Sequence, residues 1–148
     1  MVQPRSKDKV ILKTGTTPTK VYLAHPLSER GYGQHLEQRL GLLGLDVMNP
    51  FDYVGIIYDD DRIDIVQKDL DAMSLCELVI AFIPLPDNGV MGEIYHASQI
   101  LNLPVIILTH SHDIWLRFCS DRIVRSEEDL ITTLQSQLDF QRRVVDGS

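Results

Sequence analysis

Apolar residues follow two rhythms along this chain. Short runs free of charge, Val21-Tyr22-Leu23-Ala24, Leu78-Val79-Ile80-Ala81-Phe82-Ile83 and Val105-Ile106-Ile107-Leu108, have the length of strands. Unbroken apolar runs of that length suit strands covered on both faces, as in parallel sheets. Between them, apolar residues recur every three or four positions, the period of an amphipathic helix. Leu36, Leu40 and Leu43 share one such face, with Gly44 as its stop. Ile63, Val66, Leu70 and Met73 share a second, on a helix beginning near Asp60 or Asp61. Ile94, Ala97 and Leu101 mark a third, and Leu134 and Leu138 a last one behind the cap-like Ser126-Glu127-Glu128-Asp129.

Asp46-Val47-Met48 and Arg122-Ile123-Val124 add two short strands, and a short helix is expected around Trp115-Leu116. Strands alternating with helices predict a single α/β domain built on a doubly wound, parallel five-stranded sheet with right-handed crossovers. The expected division is a flexible leader over 1–18, with room for an edge strand at Val10-Ile11-Leu12, a domain over 19–140 and a polar tail over 141–148. The Tyr-rich stretch 51–60 reads as an irregular functional loop.

Composition narrows the partners. The 148 residues suffice for one core, 44% are apolar and 24% charged, and the net charge is −7. Such a charge argues against nucleic-acid polymers and anionic membranes and leaves small ligands open. No stretch has the length and apolarity of a membrane span, and Met1–Lys7 lacks the apolar core of a signal peptide. Two isolated cysteines, Cys76 and Cys119, fit a reducing cytoplasm.

The chemistry gathers just beyond the most apolar run, where open α/β sheets place their ligands. There stands Asp87-Asn88-Gly89-Val90-Met91-Gly92-Glu93, two carboxylates separated by glycines. Glu93 reads most simply as a helix-start glutamate favoured by the macrodipole. A capping box, however, needs Ser, Thr or Asp three residues earlier, and that residue is Val90. The cap falls instead to Asn88 or Asp87. Glu93 then lies in the second turn, where the helix terminus is expected to keep it ionised as a nucleophile requires. Gly89 and Gly92 let a ligand approach the backbone, yet the spacing is neither a P-loop nor a dinucleotide fingerprint.

Asp69 sits at the border of its helix's apolar stripe, where a local ion pair is the plainer role. Tyr22 interrupts an aliphatic strand, and a buried tyrosine hydroxyl wants a partner, such as Glu93. His110-Ser111-His112-Asp113 has no third ligand nearby and reads as surface, not metal site. Asp59-Asp60-Asp61 reads as a solvated helix start. Trp115 and the pair Tyr53 and Tyr58 suit stacking on a ring or plain filling of core and rim.

Taken together these residues resemble the nucleoside 2-deoxyribosyltransferase family, from about Lys20 to Leu134. The resemblance is carried by Val21-Tyr22-Leu23-Ala24, Asn49-Pro50-Phe51, Lys68-Asp69-Leu70, Ala81-Phe82-Ile83-Pro84 and Asp87-x-Gly89-x-x-x-Glu93. It implies a flavodoxin-like fold and the transfer of a 2-deoxyribosyl group between free nucleobases and deoxynucleosides, with no metal or organic cofactor. Glu93 is then the nucleophile and Tyr22 the tyrosine that orients it. Asp69 and Asp87 resemble the carboxylates that bind the base and manage its proton, with the sugar an alternative for Asp87. Asp113 falls near an asparagine that family members contribute from a neighbouring subunit, which implies a homo-oligomer. Two departures stand out: the chain ends in Gly147-Ser148 where the family ends in a tyrosine, and His25-Pro26-Leu27-Ser28 lacks the usual aromatic.

Two other readings remain. An N-glycosidase of deoxynucleoside 5′-monophosphates shares this fold, but its phosphate-receiving serine would be replaced here by Asp87, whose charge repels a dianion. A non-catalytic nucleotide sensor fits the sheet but gives no reason for Tyr22, Asp69, Asp87 and Glu93 to occur together.

Overall fold

The five strands expected between Lys20 and Val124 form one parallel sheet. The computed structural model of the protein describes residues 19–53 and 64–145. Within them β1 (Lys20–Ala24), β2 (Asp46–Met48), β3 (Leu78–Phe82), β4 (Val105–Leu108) and β5 (Arg122–Val124) pair in the order β2-β1-β3-β4-β5. The expectations placed on 1–18, on Ile63, on Tyr58 and on Asp59 to Asp61 lie outside the described residues.

Pleating sends alternate side chains to opposite faces, and both faces are apolar. Val21, Leu23, Leu78, Ile80 and Ile106 meet Leu36 and Leu40 of α1 (Arg30–Leu42) and Leu130 and Leu134 of α6 (Glu127–Val145). On the other face Tyr22, Ala24, Val79, Ala81 and Ile107 meet α3 (Asp64–Ser74), α4 (Asn88–Tyr95) and α5 (Ile114–Cys119) through Met73, Ile94 and Leu116. The sheet is thus doubly wound, with helices on both sides. Gly44 ends the α1 connection at φ 92°, a conformation glycine adopts without strain.

Two elements differ from the sequence reading. Pro50–Tyr53 forms a helical turn, α2, at the start of the stretch expected to be irregular. α6 runs on to Val145, through residues whose polarity suggested a tail. Polarity marks exposure, and a helix that needs only one buried stripe tolerates it. Among the described residues, no helix is long and apolar enough to cross a membrane.

Polar clasps fix the carboxyl edge of the sheet. Glu127, in the first turn of α6, accepts bonds from Tyr32, His35 and Arg39 of α1. Burial alone would raise its carboxyl, but the bonds from Arg39, His35 and Tyr32 outweigh that and hold it at about 2. Past β1, the buried His25 ring lies 3.1 Å from the Pro26 carbonyl and 3.0 Å from Asn49 Oδ1, and packs on Phe51. Asn49 in turn donates to Glu37 at 3.0 Å.

Gly33 of α1 lies hard against that ring, since a Cβ there would come within 2.4 Å of His25 Nε2. The ring is pinned and has nowhere to go. Gly33→Ala should therefore destabilise the fold by about 1–3 kcal/mol, a fall in Tm of roughly 3–9 °C. A melting curve that coincides with wild type would contradict this packing.

Candidate active site

The loop after β3 delivers α4, and Asp87 is its cap: Asp87 Oδ1 accepts the Val90 amide at 3.0 Å. That fixes the helix phase and puts Glu93 in the second turn. From there Glu93 reaches back under the sheet, and the hydroxyl of the fully buried Tyr22 donates to Glu93 Oε2. Tyr22 lies at the middle of β1, between β2 and β3. A rigid strand therefore supplies the donor and a capped helix the carboxyl.

Glu93 opens onto a cleft of about 500 Å³ between α3 and α4. α3 contributes Val66, Asp69 and Leu70, which share a helical face. α4 and its continuation contribute Gly89, Gly92, Glu93, His96 and Ile100, again one face at helical spacing. Tyr95 and Asn88 complete the rim. Most of this lining is apolar, and Val66, Tyr95 and Ile100 are 58%, 46% and 63% exposed at its mouth. The helix widens below Glu93, for Leu101 N–H bonds to His96 O five residues back. Wide turns of this kind are rare and recur at functional sites.

Of the residues singled out in the sequence, Tyr22, Asp69, Gly89 and Glu93 come together here. Asp87 stands at the head of the same helix, close enough for its charge to act on Glu93. Asp113 does not join them within one chain. It caps α5 through the Trp115 amide at 2.7 Å and lines a separate pocket of about 120 Å³ with Ser111 and Trp115. Several lining residues, among them Val66, Tyr95, His96 and Ile100, escape the sequence reading. Val66 was placed with the core stripe, and an apolar periodicity does not separate a core from a cleft wall. His96 went unmarked, although its spacing of three from Glu93 put it on the same face.

The electrostatics overturn one expectation. Glu93 was expected to be held ionised by the helix terminus; instead its carboxyl is pushed up to about 8. Burial is the largest cause, the Tyr22 hydrogen bond opposes it, and the charges of Asp69 and Asp87 add to the rise. The macrodipole fades within the first turn, and Glu93 lies in the second.

Comparison with solved structures gives the same fold. A 2-deoxyribosyltransferase from the psychrotolerant bacterium Bacillus psychrosaccharolyticus superposes with a TM-score of 0.63 at 19% identity, over 79% of this chain and 90% of that one. A CMP N-glycosidase from Clostridium botulinum gives 0.54 at 23% identity, over 78% and 98%. A 2-deoxyribosyltransferase from Leishmania mexicana gives 0.52 at 18%, over 64% and 66%. No protein-family profile and no curated protein matches the sequence, and at these identities the likeness establishes the fold alone.

Glu93 ties stability to pH. Between its ordinary value of 4.5 and its folded value of about 8, the folded chain keeps a proton that the unfolded chain releases. Stability from this group therefore falls as pH rises through that window and is lowest above it. Glu93→Gln carries no charge at any pH. Its Tm should gain on wild type steadily from about pH 5 to about pH 9; a gap independent of pH would contradict the raised carboxyl.

Proposed function

We propose that this cleft exchanges the nucleobases of 2′-deoxynucleosides. Glu93 attacks the anomeric carbon and the glycosidic C–N bond breaks through an oxocarbenium-like state, leaving a glycosyl ester on Glu93. A second base then attacks the same carbon and the ester leaves, with net retention, as in retaining glycosidases. Lacking a 2′-hydroxyl, the sugar reaches the oxocarbenium-like state readily. The observation that carries this reading is the carboxyl of Glu93 fixed by the buried Tyr22 hydroxyl at the floor of a ligand-sized, mostly apolar cleft.

The remaining roles follow from position. Asp69, across the cleft on α3, is assigned to the base, and Asp87 with Gly89 at the head of α4 to substrate binding. Asp113 lies outside the cleft of its own chain, so its contact with substrate requires a second copy, and we assign it there. The working form is a homo-oligomer.

Hydrolysis is the second reading, favoured by the likeness to a CMP N-glycosidase. Against a phosphorylated substrate, no Lys or Arg is found among the described residues lining the cleft, and Asp87 adds negative charge at its head. Nucleosides suit this surface better than nucleotides.

Incubation with 2′-deoxyinosine and adenine should yield deoxyadenosine by chromatography, with retained configuration. Glu93→Ala should lose roughly four orders of magnitude of that rate while melting as a folded protein. Full activity in the variant would remove Glu93 from the reaction, and release of free base without exchange would make the protein a hydrolase.

An ionised nucleophile predicts that kcat/KM rises with pH through about 8. Because the Tyr22 bond lowers the carboxyl's value, Tyr22→Phe should move that midpoint upward. A midpoint unchanged in Tyr22→Phe would deny the phenol its positioning role.

A further inference from the structure

We propose that the outer edge of the sheet carries a second ligand site, an arginine-lined pocket that binds a small phosphate-bearing anion. It lies apart from the cleft and does not depend on the exchange reading.

Placement supplies the first argument. β5 ends the sheet, and beside it opens a pocket of about 560 Å³ lined by Arg117, Asp121, Arg122, Ile123 and Arg125. Three pieces of chain meet there: α5 brings Arg117, β5 brings Arg122, and the turn into α6 brings Arg125. The pocket shares no residue with the cleft between α3 and α4, which has no Lys or Arg among its described lining. In a chain of net charge −7, three guanidiniums around one space reverse the local sign. Charge on an edge strand also keeps other strands from pairing with it. Arg122 alone would meet that need, and Arg117 and Arg125 stand outside the strand.

The state of those charges supplies the second. Arg125 donates to the carbonyls of Thr109 and Ser111 at 3.1 and 2.6 Å, and its other amino group lies 3.2 Å from His112 Nδ1. These bonds fix the guanidinium without giving it a carboxylate. The acids that follow it in sequence, Glu127 and Glu128, are bonded to Arg39 of α1. Arg122 is exposed and makes no ion pair among the described residues. The carboxylate of the lining is that of Asp121, which is buried and accepts the Val105 amide at Oδ2. Positive charge therefore predominates at this surface.

Chemistry names the ligand. A guanidinium presents its N–H groups as a planar fork that matches the oxygens of a phosphate. Forks reaching in from three sides suit a tetrahedral, multiply charged group better than one flat carboxylate. Ile123 offers an apolar wall to whatever the phosphate is attached to, and the volume is that of a small-molecule site. A guanidinium already fixed, as that of Arg125 is, gives up little further freedom when the anion arrives. A nucleic-acid polymer would need a positive track beyond the pocket, which the net charge of the chain opposes.

The probes are pyrophosphate, inorganic phosphate and ribose 5-phosphate, titrated calorimetrically into the full chain at an ionic strength held constant with NaCl. Wild type should bind at least one of them saturably, and its Tm should climb with the logarithm of that anion's concentration above Kd. Tighter binding of ribose 5-phosphate marks a phosphate ester as the ligand; tighter binding of the inorganic anions marks a free one. Arg122→Gln, at an exposed position, should weaken binding about tenfold, and Arg122→Lys less, since it keeps the charge but not the fork. Arg142→Gln removes the same charge from the exposed end of α6 and should bind as wild type does. No saturable binding by wild type, undiminished binding by Arg122→Gln, or the same loss in Arg142→Gln would overturn the site. So would binding of a single-stranded oligonucleotide and of none of the three small anions. Glu93→Ala should keep wild-type affinity; if it loses these anions, they occupy the cleft and the edge pocket is not their site.

Discussion

One hydrogen bond organises the site: the Tyr22 hydroxyl on the Glu93 carboxyl. Taking a carboxylate out of water is costly unless bonds replace the lost hydration. Here a single phenol from the strand does part of that, and the carboxyl meets the remaining cost by holding its proton until about pH 8. The arrangement needs a rigid donor, and the inner strand β1, flanked by β2 and β3, supplies one. It also needs a helix whose phase is fixed, which the Asp87 cap supplies.

Under the proposed reaction, transfer and hydrolysis share a glycosyl-enzyme and differ only in what reaches it. Apolar walls formed by Val66, Leu70 and Ile100 favour a flat, dry nucleobase over water. The fold alone does not choose, since it is common to two deoxyribosyltransferases and a CMP N-glycosidase. The choice belongs to the lining, and this lining carries carboxylates, an imidazole and hydrocarbon.

The three inner strands β1, β3 and β4 were legible because a strand covered on both faces is apolar nearly throughout, and with the two short edge strands they left little freedom in topology. The place of Glu93 in the second turn followed from Val90, which denies it a capping box. What the sequence concealed is tertiary. Burial of Glu93 depends on Tyr22 lying beneath it, some seventy residues away in the chain, so its charge state was misjudged. Val66 has a helical phase that fits a core equally well, and only the gap between α3 and α4 makes it a wall. α6 outlasted its apolar stripe because its end is exposed. Asp113 stands apart because the residues it faces in its own chain are those of another pocket.

The wide turn at His96–Ile100 has a consequence for how such a site changes over time. A turn that closes over five residues instead of four holds one residue more than a regular helix requires. Loss of that residue would restore the ordinary turn and swing Ile100 around the helix axis by about 100°. Glu93 lies before the widening and would stay where it is. A single codon thus separates the mouth of the cleft from its floor: one residue lost or gained there would re-aim Ile100 and leave Glu93 in place.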